Sequence, residues 1–146
     1  MKDREKHKEQ WRSRWLSCLN ELTSIELQKK SWVDKSNTNP HWSFVEFMCS
    51  YFDDLAIDNN YEYQLKQHWI SETEFKTIQY WHELLDKYNS PTNNDYDVKA
   101  ILTDKKWLSI VEEGVRVKNE LSKVISKEEN EILFEEIDYT QYLKQN

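Results

Sequence analysis

One glycine, Gly114, stands in a chain of 146 residues, where about 7% glycine is usual. That scarcity restricts the backbone more than any other feature. Tight hairpins of the Asn-Gly or Asp-Gly kind are absent, which argues against an all-β fold. A glycine-rich loop around a phosphate cannot be built, so Rossmann and Walker-type nucleotide sites are excluded. Helices need neither device. Gly114 itself falls inside a predicted helix, where it costs about 1 kcal/mol relative to alanine. A close helix crossing is the expected reason.

A core must still be found. Leu, Ile, Val and Phe supply 34 residues, just above the ~20% share below which charged chains tend to be disordered. The mean hydropathy of −0.96 alone would suggest disorder. Seven Trp, eight Tyr and five Phe point the other way, because each ring buries a large area. The expectation is a small folded domain whose core relies on rings. No stretch of about 18 apolar residues is present, so no membrane span is expected. The charged opening MKDREKHKEQ has no apolar signal region. A cytoplasmic location is expected.

Helical periodicity runs through the chain and no segment alternates with period two. Residues 3–30 read as one long helix with Trp11, Trp15, Cys18, Leu22 and Ile25 on one face. Residues 1–10 form a basic helical arm that projects or frays. Lys2, Arg4, Lys6, Lys8, Arg12 and Arg14 read as the solvated basic residues of that helix end. A second helix is expected to open at Asn39 with Pro40 in its first position, burying Phe44, Met48, Tyr51, Phe52 and Leu55. A third covers about 60–69, with Tyr61, Leu65, His68 and Trp69 inside. Ser71 and Glu74 form a capping box, with Ile70 and Phe75 as its hydrophobic staple. The helix that follows buries Phe75, Ile78, His82, Leu85 and Tyr88 and stops at Ser90-Pro91. A short helix is expected at 95–102. The next, capped by Thr103 or Asp104, buries Trp107, Leu108, Val111, Val115, Leu121 and Ile125. Ser126 and Glu129 form a second capping box, opening a last helix over about 127–137. A tail at 139–146 follows, with Tyr139, Tyr142 and Leu143 tying it down. The fold class is therefore all-α: a single-domain bundle of six or seven helices.

Catalytic groups are hard to assemble from these residues. The four histidines, His7, His41, His68 and His82, make no His-x-x-x-His pair, and a structural histidine is the better reading of each. Cys18 and Cys49 sit on apolar faces, where a thiol is inert. Glu128-x-x-Glu131 and Glu135-x-x-Asp138 have the spacing of magnesium carboxylates in all-α nucleotide hydrolases. Both fall in one short helix, however, and would share one solvent-facing stripe rather than converge on an ion from two helices. No catalytic residue, metal or other cofactor is expected.

What remains is surface. The net charge is −7, which repels nucleic acid and favours basic partners, besides keeping a small protein soluble. Two acidic clusters stand out. Glu46, Asp53, Asp54 and Asp58 gather at the end of the second helix, where carboxylates oppose the helix dipole at a cost of about 0.3–1 kcal/mol each. Glu128, Glu131, Glu135 and Asp138 gather at the last helix, with Glu129 and Glu136 beside them. Both clusters are candidate partner-binding residues.

The segments NPHWSFVEFMCSYFDDL (39–55), ISETEFKTIQYWHELLDKYNSP (70–91) and DYDVKAILTDKKWLSIVEEG (95–114) resemble small acidic helical proteins encoded beside bacterial polymorphic or contact-dependent toxin genes. Those proteins act in immunity. The resemblance covers roughly 39–125 and transfers no contact residue by position. It implies contact-dependent growth inhibition as the setting and a cognate, basic toxin domain as partner, a nuclease among the candidates. Separately from the resemblance, the net charge and the lack of an apolar span lead to the expectation of no nucleic acid and no membrane as partner. Two alternatives stand beside this reading: a metal-dependent nucleotide hydrolase, and a helical scaffold or regulatory protein that is homodimeric through its Trp-rich first helix.

Overall fold

The computed structural model describes residues 2–34, 36, 39–57 and 59–140. Among them are eight α-helices and one π-helical turn, and no strand. The all-α expectation holds. Tyr142 and Leu143 lie outside the described residues.

Helix α1 (Lys2–Leu22) is the spine, packing against α2 (Ile25–Ser31), α3 (Phe44–Cys49), the π turn (Ser50–Asp54), α7 (Lys105–Leu121) and α8 (Lys127–Leu133). Trp11, Trp15, Cys18 and Leu22 are buried as read, joined by Leu16 and Leu19. The single helix expected over 3–30 is two. Thr23 turns its hydroxyl back onto the Leu19 carbonyl at 2.7 Å, and Ser24 caps α2 by accepting from the Leu27 N–H. The bend is locked by Gln28. Its amide nitrogen donates to the carbonyls of Glu21 and Leu22, both at 3.1 Å, satisfying the frayed end of α1. Its amide oxygen accepts from Trp107 Nε1 at 3.0 Å.

Helix α3 also starts later than expected. Asn39 spends its side chain on the His41 N–H, making a turn, and Ser43 is the residue that caps the helix. The π turn then carries the chain onward. Residues 55–57 and 59–61 belong to its connection to α4 (Glu62–Lys66), and these described residues are bonded from both sides. Trp11 Nε1 donates to the Leu55 carbonyl at 2.9 Å, and Gln64 donates to the carbonyls of Leu55 and Ala56. Helix α4 is shorter than the 60–69 expected. His68 has φ 61° and is exposed, so it ends the helix instead of joining the core.

The capping box at Ser71 and Glu74 is present in both directions and opens α5 (Glu72–Lys87). Ile78, His82 and Leu85 are buried on its inner face, with Trp81 beside them. Asp97 caps α6 (Val98–Leu102), which starts three residues later than expected, and Asp104 caps α7. The inner face of α7 is rotated from the one read. Ile110 and Val117 are buried, while Val115 is 42% exposed.

Helices α5 and α7 pack as a pair, and Gly114 lies at their contact. A Cβ there would come within 2.7 Å of both Thr23 Cγ2 and Trp81 Nε1. Neither neighbour is free to move: Trp81 is fully buried, and Thr23 is held by its hydroxyl. Gly114→Ala should gain about 1 kcal/mol of helix propensity and lose more to overpacking, typically about 1–3 kcal/mol. The expected result is a lower urea midpoint at unchanged m value. An equal or higher midpoint would show that the crossing has room.

Candidate partner-binding surface

Glu46 lies in the first turn of α3, and Asp53 and Asp54 lie in the π turn; all three are exposed. Asp58 lies outside the described residues. Of this first cluster, Asp54 borders an open groove of about 440 Å³ whose lining also includes Arg14, Cys18, Glu21 and His41. His41 Nε2 sits 2.6 Å from Glu21 Oε2. That hydrogen bond raises the pKa of His41 against the opposing effect of burial. His41 thus fastens the turn before α3 to the end of α1. Cys18 is buried, and burial pushes its thiol up to about 12, so it is held as the thiol. Cys49, partly exposed, is also raised by burial.

The second cluster does not form one stripe. Helix α8 ends at Leu133, so Glu135 and Asp138 lie beyond it and share no helix face with Glu128 and Glu131. The cause is visible in the packing. Asn20 donates to the Glu135 carbonyl at 2.8 Å and accepts from Lys118 Nζ at 2.8 Å. That lysine also lies 4.7 Å from the Phe134 ring centroid. Tyr139 packs edge-on to Trp42. These contacts draw residues 134–139 along α1 and place Glu135, Glu136 and Asp138 beside Glu26 and Lys30. The segment meets the turn that carries His41, so this half of the second cluster approaches the side bearing the first.

Glu128 goes elsewhere, to a cleft of about 870 Å³ between the first half of α1, the start of α5 and α8. Glu5 and Glu9 line it from α1, Trp69 from the turn before α5, and Val124 and Ile132 from the α8 side. Arg12 lies at its base and corrects the sequence reading most directly. It is no solvated arm residue: its side chain is 12% exposed. Its five N–H donors meet five acceptors, Glu74 twice, Glu129 twice and the Trp69 carbonyl, at 2.6 to 3.1 Å. The second capping box is consequently half made. Ser126 accepts from the Glu129 N–H, but the Glu129 carboxylate turns to Arg12. A signal existed in the sequence, since Arg12 lies between Trp11 and Trp15 at the margin of the buried face. The remaining arm residues from Asp3 to Gln10 are helical and exposed.

The seven described cluster residues, Glu46, Asp53, Asp54, Glu128, Glu131, Glu135 and Asp138, are all exposed. None is paired with a basic side chain among the described residues. Also among the described residues, no group of three or more His, Cys, Asp or Glu is placed to hold a metal ion, and no helix is long and apolar enough to cross a membrane. Compared with known proteins, the chain matches no family model, no curated protein and no solved structure.

The Arg12 cluster yields a test. Burial alone would raise the Glu74 carboxyl; hydrogen bonds from Arg12 and Ser71 outweigh it and hold the pKa below 4.5. A depressed carboxylate contributes stability above its unfolded pKa and loses it as pH falls through the folded value. Arg12→Met should therefore cost about 2–4 kcal/mol near pH 7, because it strands two carboxylates, one of them buried. The deficit should narrow below about pH 4.5, as the Glu74 carboxylate becomes protonated. Urea titrations of both proteins at pH 7 and pH 3.5 check this; a deficit independent of pH would assign the loss to packing alone.

Proposed function

We propose that the chain is a non-catalytic inhibitor, an immunity-type protein that covers a basic toxin domain in the cytoplasm of the producing cell. The observation that carries the proposal is the unpaired state of the exposed carboxylates. The chain pairs acids where they enter its packing, at Arg12 with Glu74 and Glu129 and at His41 with Glu21. It leaves the seven described cluster carboxylates without basic partners. Like charges gathered on a surface repel one another, and a basic partner relieves that repulsion while gaining rate and register from it. A nuclease fits this description, because a groove that attracts phosphate also attracts carboxylate.

The alternatives have weaker support. The carboxylate spacing behind the hydrolase reading is broken where α8 ends at Leu133. The tryptophans named for a homodimer face inward: Trp11 is 8% and Trp15 0% exposed. A dimer through that face would have to open the core.

Two measurements test the proposal. Co-expression of the chain should protect a cell from the toxin domain encoded by the gene immediately upstream. Reversing Asp53, Asp54 and Asp58 to Lys should slow association with that domain, by about tenfold or more at low salt, and flatten its salt dependence. Unchanged association and protection would remove this cluster from the interface.

A further inference from the structure

A chain of hydrogen bonds crosses the core next to the acidic π turn. Trp15 Nε1 lies 3.0 Å from Tyr61 Oη. Tyr61 Oη lies 2.6 Å from Tyr51 Oη, which lies 2.8 Å from His82 Nδ1. The four side chains come from α1, the 55–61 connection, the π turn and α5. Trp15, Tyr51 and Tyr61 are fully buried, and His82 is 3% exposed.

The direction of this chain is forced. An indole N–H only donates, so Tyr61 accepts at that end. The Tyr61 proton then has one acceptor among the described residues, the Tyr51 oxygen. The Tyr51 proton in turn has His82 Nδ1. All three donors are satisfied only when Nδ1 carries no proton, so neutral His82 holds its proton on Nε2. Protonating the ring turns Nδ1 from acceptor to donor. Between them, Tyr51 and Tyr61 then have two hydroxyl protons and room for one hydrogen bond. One O–H is stranded in the core whichever way they rotate.

The connection that Tyr61 anchors is strained. Ala56, Asn60 and Tyr61 have φ of 55°, 54° and 65°, in the left-handed region that a Cβ disfavours. Its hold on the fold comes from the fully buried Ile57 and Tyr61 and from the hydrogen bonds around them. A cavity of about 170 Å³, lined by Phe52, Ile57, Asn59, Asn60 and Asp86, lies against the His82 ring. It offers a route for water and a proton to the ring.

We propose that His82 is an acid-sensitive latch on the 55–61 connection. Neutral, it completes the buried chain and keeps the connection docked. Protonated, it breaks the chain and releases the connection, together with the edge of the π turn that carries Asp53 and Asp54. Among the described residues, the titratable groups facing the ring from other elements are Tyr51 and Tyr61, both held protonated by burial. On α5 itself, Asp86 and Glu83 favour the charged ring, but burial outweighs them and lowers the His82 pKa below 6.5. The released form therefore binds the proton more tightly than the docked form. Docking is complete above about pH 6.5 and weakens as pH falls below it. The latch stands whether or not the acidic surface binds a toxin.

The test is amide hydrogen exchange of residues 55–61 in the full chain between pH 7.5 and 5, corrected for intrinsic rates. In the wild type, protection should fall by up to about tenfold per pH unit below 6.5, the limit for one linked proton. His82→Gln keeps an acceptor and cannot titrate, so its protection should stay level. The same pH slope in H82Q would overturn the proposal. If H82Q does not fold, nitrogen NMR of the wild-type ring decides instead. A proton on Nε2 at pH 7.5 and a titration midpoint below 6.5 support the latch. A proton on Nδ1, or a midpoint at or above 6.5, refutes it.

Discussion

The guanidinium of Arg12 holds together three parts of the chain that sequence separates widely. Glu74 is 62 residues away and Glu129 is 117. Each has a local role as well, Glu74 closing the capping box of α5 and Glu129 giving its N–H to Ser126. The start of α5 and the start of α8 are therefore both fastened to α1 through one side chain. A planar fork with five donors suits this task, and a lysine could not replace it, since three donors on a point charge cannot hold two carboxylates in bidentate fashion. The cluster keeps one net negative charge, so even the best-neutralised acids add to the potential of the cleft above them.

This division of charge gives the surface its character. Where a carboxylate enters the packing it meets Arg12, His41 or a capped helix start. Where it stays on the surface it is left mostly alone, apart from short-range pairs such as Glu26–Lys30 and Glu113–Arg116. Exposed pairs of that kind contribute little to stability, so the fold gains almost nothing from its surface charges. Acidic residues in this number are better understood as directed outward than as structural.

Much of the architecture could be read from residues alone, where one local rule acted without competition. Ser71 and Glu74 had an open N-terminus to cap, and both bonds formed. Ser126 and Glu129 carried the same signature, but Arg12 competes for the Glu129 carboxylate and wins because a buried charge-assisted pair outweighs a backbone N–H. The break at Thr23–Ser24 was hidden because the apolar spacing continues across it, from Leu22 to Ile25. What decides it is Gln28, whose partners lie on α1 and α7. The acidic residues were legible as exposed positions, since charge predicts solvent. Their grouping was not, because it depends on where α8 ends, and that depends on Asn20, Lys118 and Phe134 meeting in space.

A chain with one glycine must still make sharp turns, and among the described residues five with a Cβ adopt positive φ: Ala56, Asn60, Tyr61, His68 and Asn93. Three of them cluster in the 55–61 connection, which is also among the more buried stretches of irregular backbone. Such a segment leaves carbonyls away from water, and each needs a donor. Trp11 and Gln64 supply them to Leu55 and Ala56, and Trp107 does comparable service for Gln28 at the α1–α2 bend. An aliphatic core could fill the same volume but has no N–H or O–H to offer. The abundance of Trp and Tyr and the scarcity of glycine are thus two sides of one solution. Rings with a polar edge fill the interior, and one of them, Trp11, also bonds the strained connection at the Leu55 carbonyl. The consequence is that polar groups sit deep in this core in fixed orientations, so a change of one proton on one of them is felt by the backbone.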